Sequence, residues 1–330
     1  MNYNFIIVTL ILNIIFIFSF NKITKKFDFY DFPDYARKLH KKKTSLIGGF
    51  LFFIFNLIYL VFYIYDTVET FFTLREMVSL IFVSNIFFII GLYDDKFNLK
   101  ANTKIYLMIF VSLCIILINN NFLIEELNFS FYSKSIILGN FSILFTIICF
   151  ICFVNACNMF DGIDLQFGFY LIFLSIIFIS KGIMIHFYFG LIICGVFFLY
   201  YNFNKKIFIG NNGTLLLGSL FSFLFIGSYT KSNLFFVDEI FLIMVIPGFD
   251  LIRVSILRLT QGKNMFQSDN SHIHHLLIKK ISIVKTNLLI QLSIVLPFLN
   301  FYIYQNFLTS IIIATSGYLM LFFYAKNSTK

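Results

Sequence analysis

Charged residues are scarce in this chain: they make up 12% of its 330 positions, whereas 59% of the residues are hydrophobic. This balance excludes a water-soluble fold, because the apolar residues form repeated runs long enough to cross the roughly 30 Å hydrocarbon core of a bilayer. Acidic residues are fewer than basic residues, which gives a formal net charge of +9. No soluble basic domain carries that charge, so we expect no nucleic-acid partner.

Signals for export and for cross-linking are also missing. No positive charge precedes Phe5 and no small-residue cleavage site follows Phe20, so we expect the first apolar run to be a retained helix rather than a signal peptide. The five cysteines lack the paired spacing of a metal site and the polar setting of a disulfide framework. We interpret them as packing residues.

Apolar segments predict an all-α, polytopic membrane protein with about eleven transmembrane helices in a single domain, residues 1–330. A break at Lys181-Gly182 separates two segments, since the unbroken helix would be about 52 Å long at 1.5 Å per residue. The predicted segments are approximately 5–20, 46–65, 77–93, 105–118, 136–154, 167–180, 183–201, 213–230, 237–252, 286–303 and 306–324.

Alternate loops differ sharply in charge. All Lys and Arg lie on one side except Arg75, Lys134, Lys181 and Lys231, so that side is predicted to be cytoplasmic, with the N-terminus outside and the C-terminus inside. Every acid in these cytoplasmic loops is Asp, a short side chain that suits a compact metal and phosphate site, although loop Asp also serves as a helix cap. The cytoplasmic loops are approximately 21–45, 94–104, 155–166, 202–212 and 253–285.

Polar residues directly follow two of the apolar runs, in the stretch from Asn155 to Asp164 and in Gly91-Leu-Tyr-Asp94-Asp95. Ionisable groups at the membrane edge are costly, so such clusters are candidates for function. Mg²⁺ prefers hard oxygen ligands and is typically held by one or two carboxylates together with substrate phosphates. The candidate carboxylates are Asp94, Asp95, Asp161 and Asp164.

Cations and a glycine-rich loop accompany these carboxylates. The loop from Gly210 through Gly213 to Thr214 opens an apolar segment, where backbone N–H groups at a helix start favour an anion. Together these groups predict phosphoryl chemistry on a charged substrate at the cytoplasmic membrane surface. The candidate phosphate-binding cations are Arg37, Lys38, Lys96 and Lys104.

Three histidines, His272, His274 and His275, share one polar loop. A tetrahedral zinc site is conceivable, but no Cys lies nearby and the acids favour an oxygen-binding metal. We expect the histidines to recognise phosphate or sugar, with a purely structural role as the alternative.

In this order, the motifs resemble those of the polyprenyl-phosphate N-acetylhexosamine-1-phosphate transferases, bacterial membrane enzymes of the glycosyltransferase family 4 type that begin surface-glycan synthesis. The similar stretches are Asp31-Phe-Pro33 with Arg37-Lys38-Leu-His40 and Gly48-Gly49; Asp94-Asp95 with Lys104; Asn155 to Asp164; Phe208 to Gly218; and Pro247, Asp250, Arg253, Arg258, Gly262, Phe266 and Asp269 with His272-Ile-His274-His275. The histidine motif resembles the branch that uses UDP-N-acetylhexosamines.

The resemblance implies transfer of N-acetylhexosamine 1-phosphate from a UDP-sugar to undecaprenyl phosphate, with release of UMP, in the bacterial inner membrane. It implies Mg²⁺, with Mn²⁺ as the alternative, and leaves a homodimer open. Asp161 and Asn211 would bind the metal, with Asp95 and Asp164 supporting metal or nucleotide binding. Asp94 would assist the attacking lipid phosphate. The implied substrate-binding residues are Lys104, Asn155, Asn158, Gly210, Gly213, Arg37, His272, His274 and His275.

Three positions depart from the family pattern. Asn211 stands where the family has a metal-binding aspartate, and Leu165-Gln166 replace a Gly-Leu pair. Asn270 stands where an arginine is usual. Asn211 motivates one alternative, a relative that binds UDP-sugar or lipid without turnover. A flippase or transporter for lipid-linked sugar is the alternative from another class of protein.

Overall fold

A computed structural model describes residues 3–33, 43–65, 71–265 and 270–327. Within these ranges nine helices are long and apolar enough to cross a membrane, and a bent helix pair brings the number to ten. The helices are α1 (Tyr3–Phe27), α2 (Gly48–Tyr65), α3 (Leu74–Phe97), α4 (Ala101–Ile118), α5 (Ser142–Phe160), α6 (Gln166–Ser180), α7 (Ile185–Phe203), α8 (Gly210–Ser232), α9 (Val237–Ile243), α10 (Val245–Thr260), α11 (Ile273–Leu277), α12 (Ile283–Tyr304) and α13 (Phe307–Lys326). The protein is a multi-pass, all-α membrane protein, as predicted.

Two antiparallel pairs of strands interrupt the helices. Strand β1 (Tyr30–Asp31) pairs with β2 (Thr44–Ser45), and β3 (Glu126–Phe129) pairs with β4 (Tyr132–Ile137). The segment predicted to begin at residue 136 therefore starts in a strand, and its helix begins only at Ser142. The last residues of the hairpin, Ile136 and Ile137, are as apolar as the helix that follows. Hydropathy alone therefore places the start of the helix too early.

The breaks between helices have local causes. The predicted break at Lys181-Gly182 is confirmed, with Gly182 at φ +74° between α6 and α7. Helix α6 has 15 residues, roughly 22 Å at 1.5 Å per residue, which is shorter than the other candidate spans. Helices α9 and α10 meet at a 73° bend. Pro247 lies in the first turn of α10, where its missing N–H could not have continued the bonding of α9.

The chain divides into two compact units, each built from two stretches. Unit 1 comprises Met1–Val111 and Phe167–Phe221, and unit 2 comprises Ser112–Gln166 and Ser222–Lys330. The single-domain organisation stays a prediction. Aromatic residues fill the core of unit 1, where Phe5 of α1 packs against Phe55 of α2 with ring centroids 5.7 Å apart. In unit 2, Phe150 of α5 packs against Phe223 of α8 at 4.4 Å.

Candidate functional site

The first cluster lies in unit 1, where Asp95 at the end of α3 binds the start of α8. Its Oδ1 accepts a hydrogen bond from the backbone N–H of Asn211 at 2.9 Å, and its Oδ2 accepts one from the N–H of Asn212 at 2.9 Å. The Asn212 side chain donates a third, at 2.6 Å. An anion was predicted at this helix start, and Asp95 itself supplies one, which satisfies two of its orphan N–H groups.

Glycines let α2 and α3 approach this helix start closely. A Cβ at Gly49 would lie 2.5 Å from the backbone nitrogen of Gly213, and one at Gly91 would strike the backbone of Asn211. The amides of Gly48 and Gly49 also donate to the carbonyls of Phe208 and Ile209, at 3.0 and 3.1 Å. The start of α8 is thus held rigidly, and its Asn211 side chain is half-exposed.

Asp94 faces a different partner from its neighbour. Its Oδ2 forms an ion pair with the Lys104 ammonium at 2.9 Å, and its Oδ1 accepts the N–H of Leu99 at 3.0 Å. Both charged side chains are largely buried, at 11% and 13% exposure. Lys104 was predicted to bind phosphate, and one of its three N–H donors is committed to Asp94. The resemblance placed Asp94 and Lys104 in one motif, but it did not predict that the two side chains form an ion pair.

The second cluster lies in unit 2, around the stretch from Asn155 to Asp164. Asn155 is on the last turns of α5, where its side chain donates to the Ile151 carbonyl at 3.0 Å, and Asp161 is the residue that ends the helix. The carbonyl of Asp164 accepts a hydrogen bond from the Asn287 side chain of α12 at 2.8 Å. Asn158, Asp161 and Asp164 are all half-buried.

His272 is held at both ring nitrogens. Its Nδ1 lies 2.8 Å from Asp250 Oδ2, and its Nε2 lies 3.3 Å from Nη2 of the buried Arg258. A carboxylate only accepts and a guanidinium only donates, so Nδ1 is placed to donate to Asp250 and Nε2 to accept from Arg258. Direct contact between this imidazole and a substrate would require one of these bonds to break. Its predicted substrate-binding role stays a prediction.

Asp250 on α10 is the centre of this network. Its Oδ1 accepts bonds from Arg253 at 2.7 Å and from the hydroxyl of Tyr318 at 3.1 Å, and the Ile273 N–H donates to both oxygens at 3.2 Å. Arg253 also donates to the Ser271 carbonyl at 2.7 Å. Sequence reasoning missed Tyr318, because a tyrosine within an apolar helix carries no signal of its distant partner.

His274 is the most deeply buried of the three histidines, with 1% of its surface exposed. Neither of its ring nitrogens has a hydrogen-bond partner among the residues that the structure describes. Its ring lies parallel to that of His272, and its Nε2 occupies the space that a Cβ on Gly162 would need. His275 is half-buried.

Burial lowers the pKa of His274 well below its usual range, and the nearby His275 lowers it further. An unfolded histidine titrates near pH 6.5, so the unfolded chain takes up this proton first as the pH falls. We therefore expect stability to be lost below about pH 6.5, by up to about 1.4 kcal/mol per pH unit. Thermal unfolding in detergent between pH 7.5 and 5.5 measures this loss, and His274→Asn should flatten the curve. An equal slope in both proteins would contradict it.

The structure thus collects the predicted residues in two groups. Unit 1 holds Asp94, Asp95, Lys104, Gly210, Asn211 and Gly213, and unit 2 holds Asn155, Asn158, Asp161, Asp164, His272, His274 and His275. Arg37, Lys38, His40, Phe266 and Asp269 lie outside the described residues.

The cluster in unit 1 offers few oxygen ligands for a hard cation such as Mg²⁺. A carboxylate has about four lone-pair sites, and three of those on Asp95 accept N–H groups of α8, which leaves one on Oδ1. Asn211 adds an amide oxygen without charge. Within the described ranges no three His, Cys, Asp or Glu side chains gather in a metal-binding arrangement. Mg²⁺ keeps several waters and takes substrate phosphates as ligands, so such a sparse set still suits it.

The fold and the two polar clusters define a multi-pass membrane protein with carboxylate, amide and ammonium groups at helix ends. The model of glycosyl transferase family 4 matches residues 77–229 of the chain, and the protein is a transferase. It is 28% identical over 250 residues to a probable undecaprenyl-phosphate N-acetylglucosaminyl 1-phosphate transferase of Bacillus subtilis (strain 168), covering 73% of this chain and 68% of the relative.

Two further relatives are named undecaprenyl-phosphate alpha-N-acetylglucosaminyl 1-phosphate transferase. The protein of Thermotoga maritima is 29% identical over 279 residues, covering 83% of this chain and 81% of the relative. The protein of Escherichia coli (strain K12) is 24% identical over 277 residues, covering 80% and 73%. The family match contains the Asp94-Asp95 pair, the Asn155 to Asp164 stretch and the start of α8, but not the histidine loop.

Proposed function

We propose that this protein transfers N-acetylhexosamine 1-phosphate from a UDP-sugar to undecaprenyl phosphate, releases UMP, and so initiates synthesis of a cell-surface glycan. The family match across residues 77–229, which contains both carboxylate stretches, carries the proposal. The names of three relatives support both the lipid acceptor and the sugar phosphate. A body of apolar helices is also what a polyprenyl substrate needs.

Asp94 and Lys104 are the residues that we assign to the acceptor phosphate. With one N–H bound to Asp94 at 2.9 Å, the Lys104 ammonium keeps two donors for phosphate oxygens, and Asp94 fixes its direction. A phosphate monoester loses its second proton near pH 6, so little base catalysis is needed at neutral pH. Asp94 therefore acts by positioning the lipid phosphate through Lys104.

Mg²⁺ is the metal that we assign to the unit 1 cluster, with the Asn211 amide oxygen and the remaining lone pair of Asp95 Oδ1 as its protein ligands. When bound, such a cation neutralises charge on the diphosphate. The resemblance alone assigns Asp161 as a metal ligand and Asp164 as a residue that supports metal or nucleotide binding. Asn155, Asn158 and His275 would contact the donor.

Release of UMP tests the proposal. Purified protein in vesicles that contain undecaprenyl phosphate, supplied with UDP-N-acetylglucosamine and Mg²⁺, should produce UMP and a lipid diphosphate sugar of the expected mass. Asp94→Asn should abolish turnover. Asp28→Asn is the matched control, because Asp28 is exposed at φ +53°, a conformation that asparagine tolerates. Absence of UMP with every UDP-N-acetylhexosamine would overturn the proposal.

A catalytically inactive relative is the second candidate, and the neutral Asn211 at the family's aspartate position motivates it. Binding of UDP-sugar in equilibrium dialysis without any UMP release would support this reading instead. Turnover in the same preparation would exclude it.

Restoring the carboxylate at position 211 should strengthen the response to metal. We expect Asn211→Asp to reach half-maximal rate at a Mg²⁺ concentration about tenfold lower, because a charged ligand replaces a neutral one. A titration of rate against Mg²⁺ measures the shift. Asn212→Asp is not a suitable control, since Asn212 donates to Asp95, so Asn21→Asp at an exposed position of α1 serves instead. An unchanged titration would remove residue 211 from the metal site.

We propose that the protein lies in the bacterial inner membrane with its N-terminus outside and its C-terminus in the cytoplasm. The charge asymmetry of the loops supports this orientation. Opposite termini require an odd number of crossings, so the short helix α6 must cross together with the nine long helices and the α9–α10 pair. Terminal fusions to a reporter active only outside the cytoplasm should report the N-terminus alone. Both termini on one side would show that α6 does not cross.

A further inference from the structure

The β3–β4 hairpin lies at the opposite end of α5 from Asp161, since it precedes the first residue of that helix. Its inner strand is fixed to unit 2. The N–H of Asn128 donates to the Tyr229 hydroxyl at 2.7 Å, and the N–H of Ser130 donates to Asp238 at 2.8 Å. The outer strand β4 is exposed at all six positions. One edge of the hairpin is therefore held by protein, whereas β4 pairs with β3 alone among the residues that the structure describes.

The exposed strand changes character along its length. Ser133 and Ser135 lie in its first part, whereas Ile136 and Ile137 at its end are 47% and 79% exposed. Phe141, in the turn that follows, is 69% exposed. This apolar segment runs directly into Leu144 of α5, which is 56% exposed on a membrane-spanning helix. The patch is thus continuous with a surface that faces lipid.

Aromatic residues independently mark the same end of unit 2 as a membrane boundary. Phe131 at the hairpin turn stacks on Phe307 at the start of α13, with ring centroids 5.4 Å apart. Tyr302 and Tyr304 close α12 and are 50% and 72% exposed. Tyrosine side chains, rather than phenylalanines, concentrate at the level of the lipid headgroups. The hairpin is therefore at headgroup depth rather than above the membrane.

We propose that residues 136–141 insert into the lipid interface and bind the hairpin to the bilayer surface, while Ser133 and Ser135 face water. Apolar side chains of interfacial segments reach about 5–10 Å into the boundary between headgroups and acyl chains. Water and headgroups at this depth also supply partners for the open backbone edge of β4, which in a dry environment would be costly. A second copy of the chain could also pair with the backbone edge of β4. That pairing would not explain why the apolar patch continues into the lipid-facing surface of α5.

The chain contains no tryptophan, so a single introduced indole reports its own surroundings without background. Full-length Ile137→Trp, Ser133→Trp and Leu144→Trp would each be placed in phosphatidylcholine and phosphatidylglycerol vesicles, with or without brominated acyl chains. Ser133 is the matched control, because it lies on the same strand and the same face as Ile137. Each variant should first elute from size exclusion in detergent as the parent protein does.

Brominated lipid should reduce the fluorescence of Ile137→Trp and Leu144→Trp by at least about twofold more than that of Ser133→Trp, given insertion of the segment to interfacial depth. Aqueous iodide should show the reverse order. Quenching of Ile137→Trp by iodide and not by brominated lipid would overturn the proposal. Protection from both quenchers would overturn it as well, because protein rather than lipid would then cover the strand.

Discussion

Asp95→Asn is expected to reduce UMP release by about 100-fold or more and to destabilise the protein by about 3 kcal/mol. Asp95 accepts three N–H groups at the start of α8. An asparagine has one acceptor oxygen, so its NH₂ group would face at least one N–H donor whichever way the amide is turned. The substitution also removes a negative charge, which is favourable at the N-terminus of a helix. Displacement of α8 would then move Asn211.

Thermal unfolding and UMP release measure the two effects on the same preparation. Asp94→Asn provides the sharper comparison, since it is the same change one residue earlier and removes a carboxylate that accepts one N–H and one ammonium. We expect it to lose activity with a smaller loss of stability. A wild-type melting temperature for Asp95→Asn would show that the carboxylate does not hold the helix start.

Gly162→Ala should have the second large effect, a loss of about 1–3 kcal/mol in stability and about 100-fold in activity. The new methyl group would occupy the position of the His274 ring, which is 1% exposed and lies parallel to the ring of His272. The ring of His275 is also close, with centroids 4.3 Å apart. His274 therefore has no space into which it can retreat.

Gly248→Ala is the matched control for this change. Gly248 lies in α10 of the same unit, and a Cβ there meets nothing within 4 Å, so alanine should be neutral or stabilise by up to about 1 kcal/mol. The double variant Gly162→Ala, His274→Ala tests whether the loss of stability comes from the clash between the new methyl group and the His274 ring. It should recover stability relative to Gly162→Ala, because the methyl group gains space. Full stability of Gly162→Ala alone would contradict the contact.

The sequence alone could have predicted only some of the contacts between site residues of the same unit. Asp94 and Asp95 are adjacent, yet one pairs with Lys104 ten residues away and the other with Asn212, 117 residues away. The first pairing lies within reach of two consecutive helices, whereas the second depends on how α3 and α8 pack. Similarly, Asp250 reaches Tyr318 across 68 residues.

Hydropathy and the order of the motifs were enough to predict the helical, membrane-spanning body and the chemical types of the polar clusters. Backbone groups in lipid must be satisfied within each segment, so a long apolar run specifies a helix without reference to the rest of the chain. Three features could be seen only in the folded chain: Asp95 binds the start of α8, His272 is held between Asp250 and Arg258, and residues 126–137 form a hairpin. Those outcomes depend on partners brought close by packing, and the partners of a polar side chain are not encoded in its neighbours along the chain.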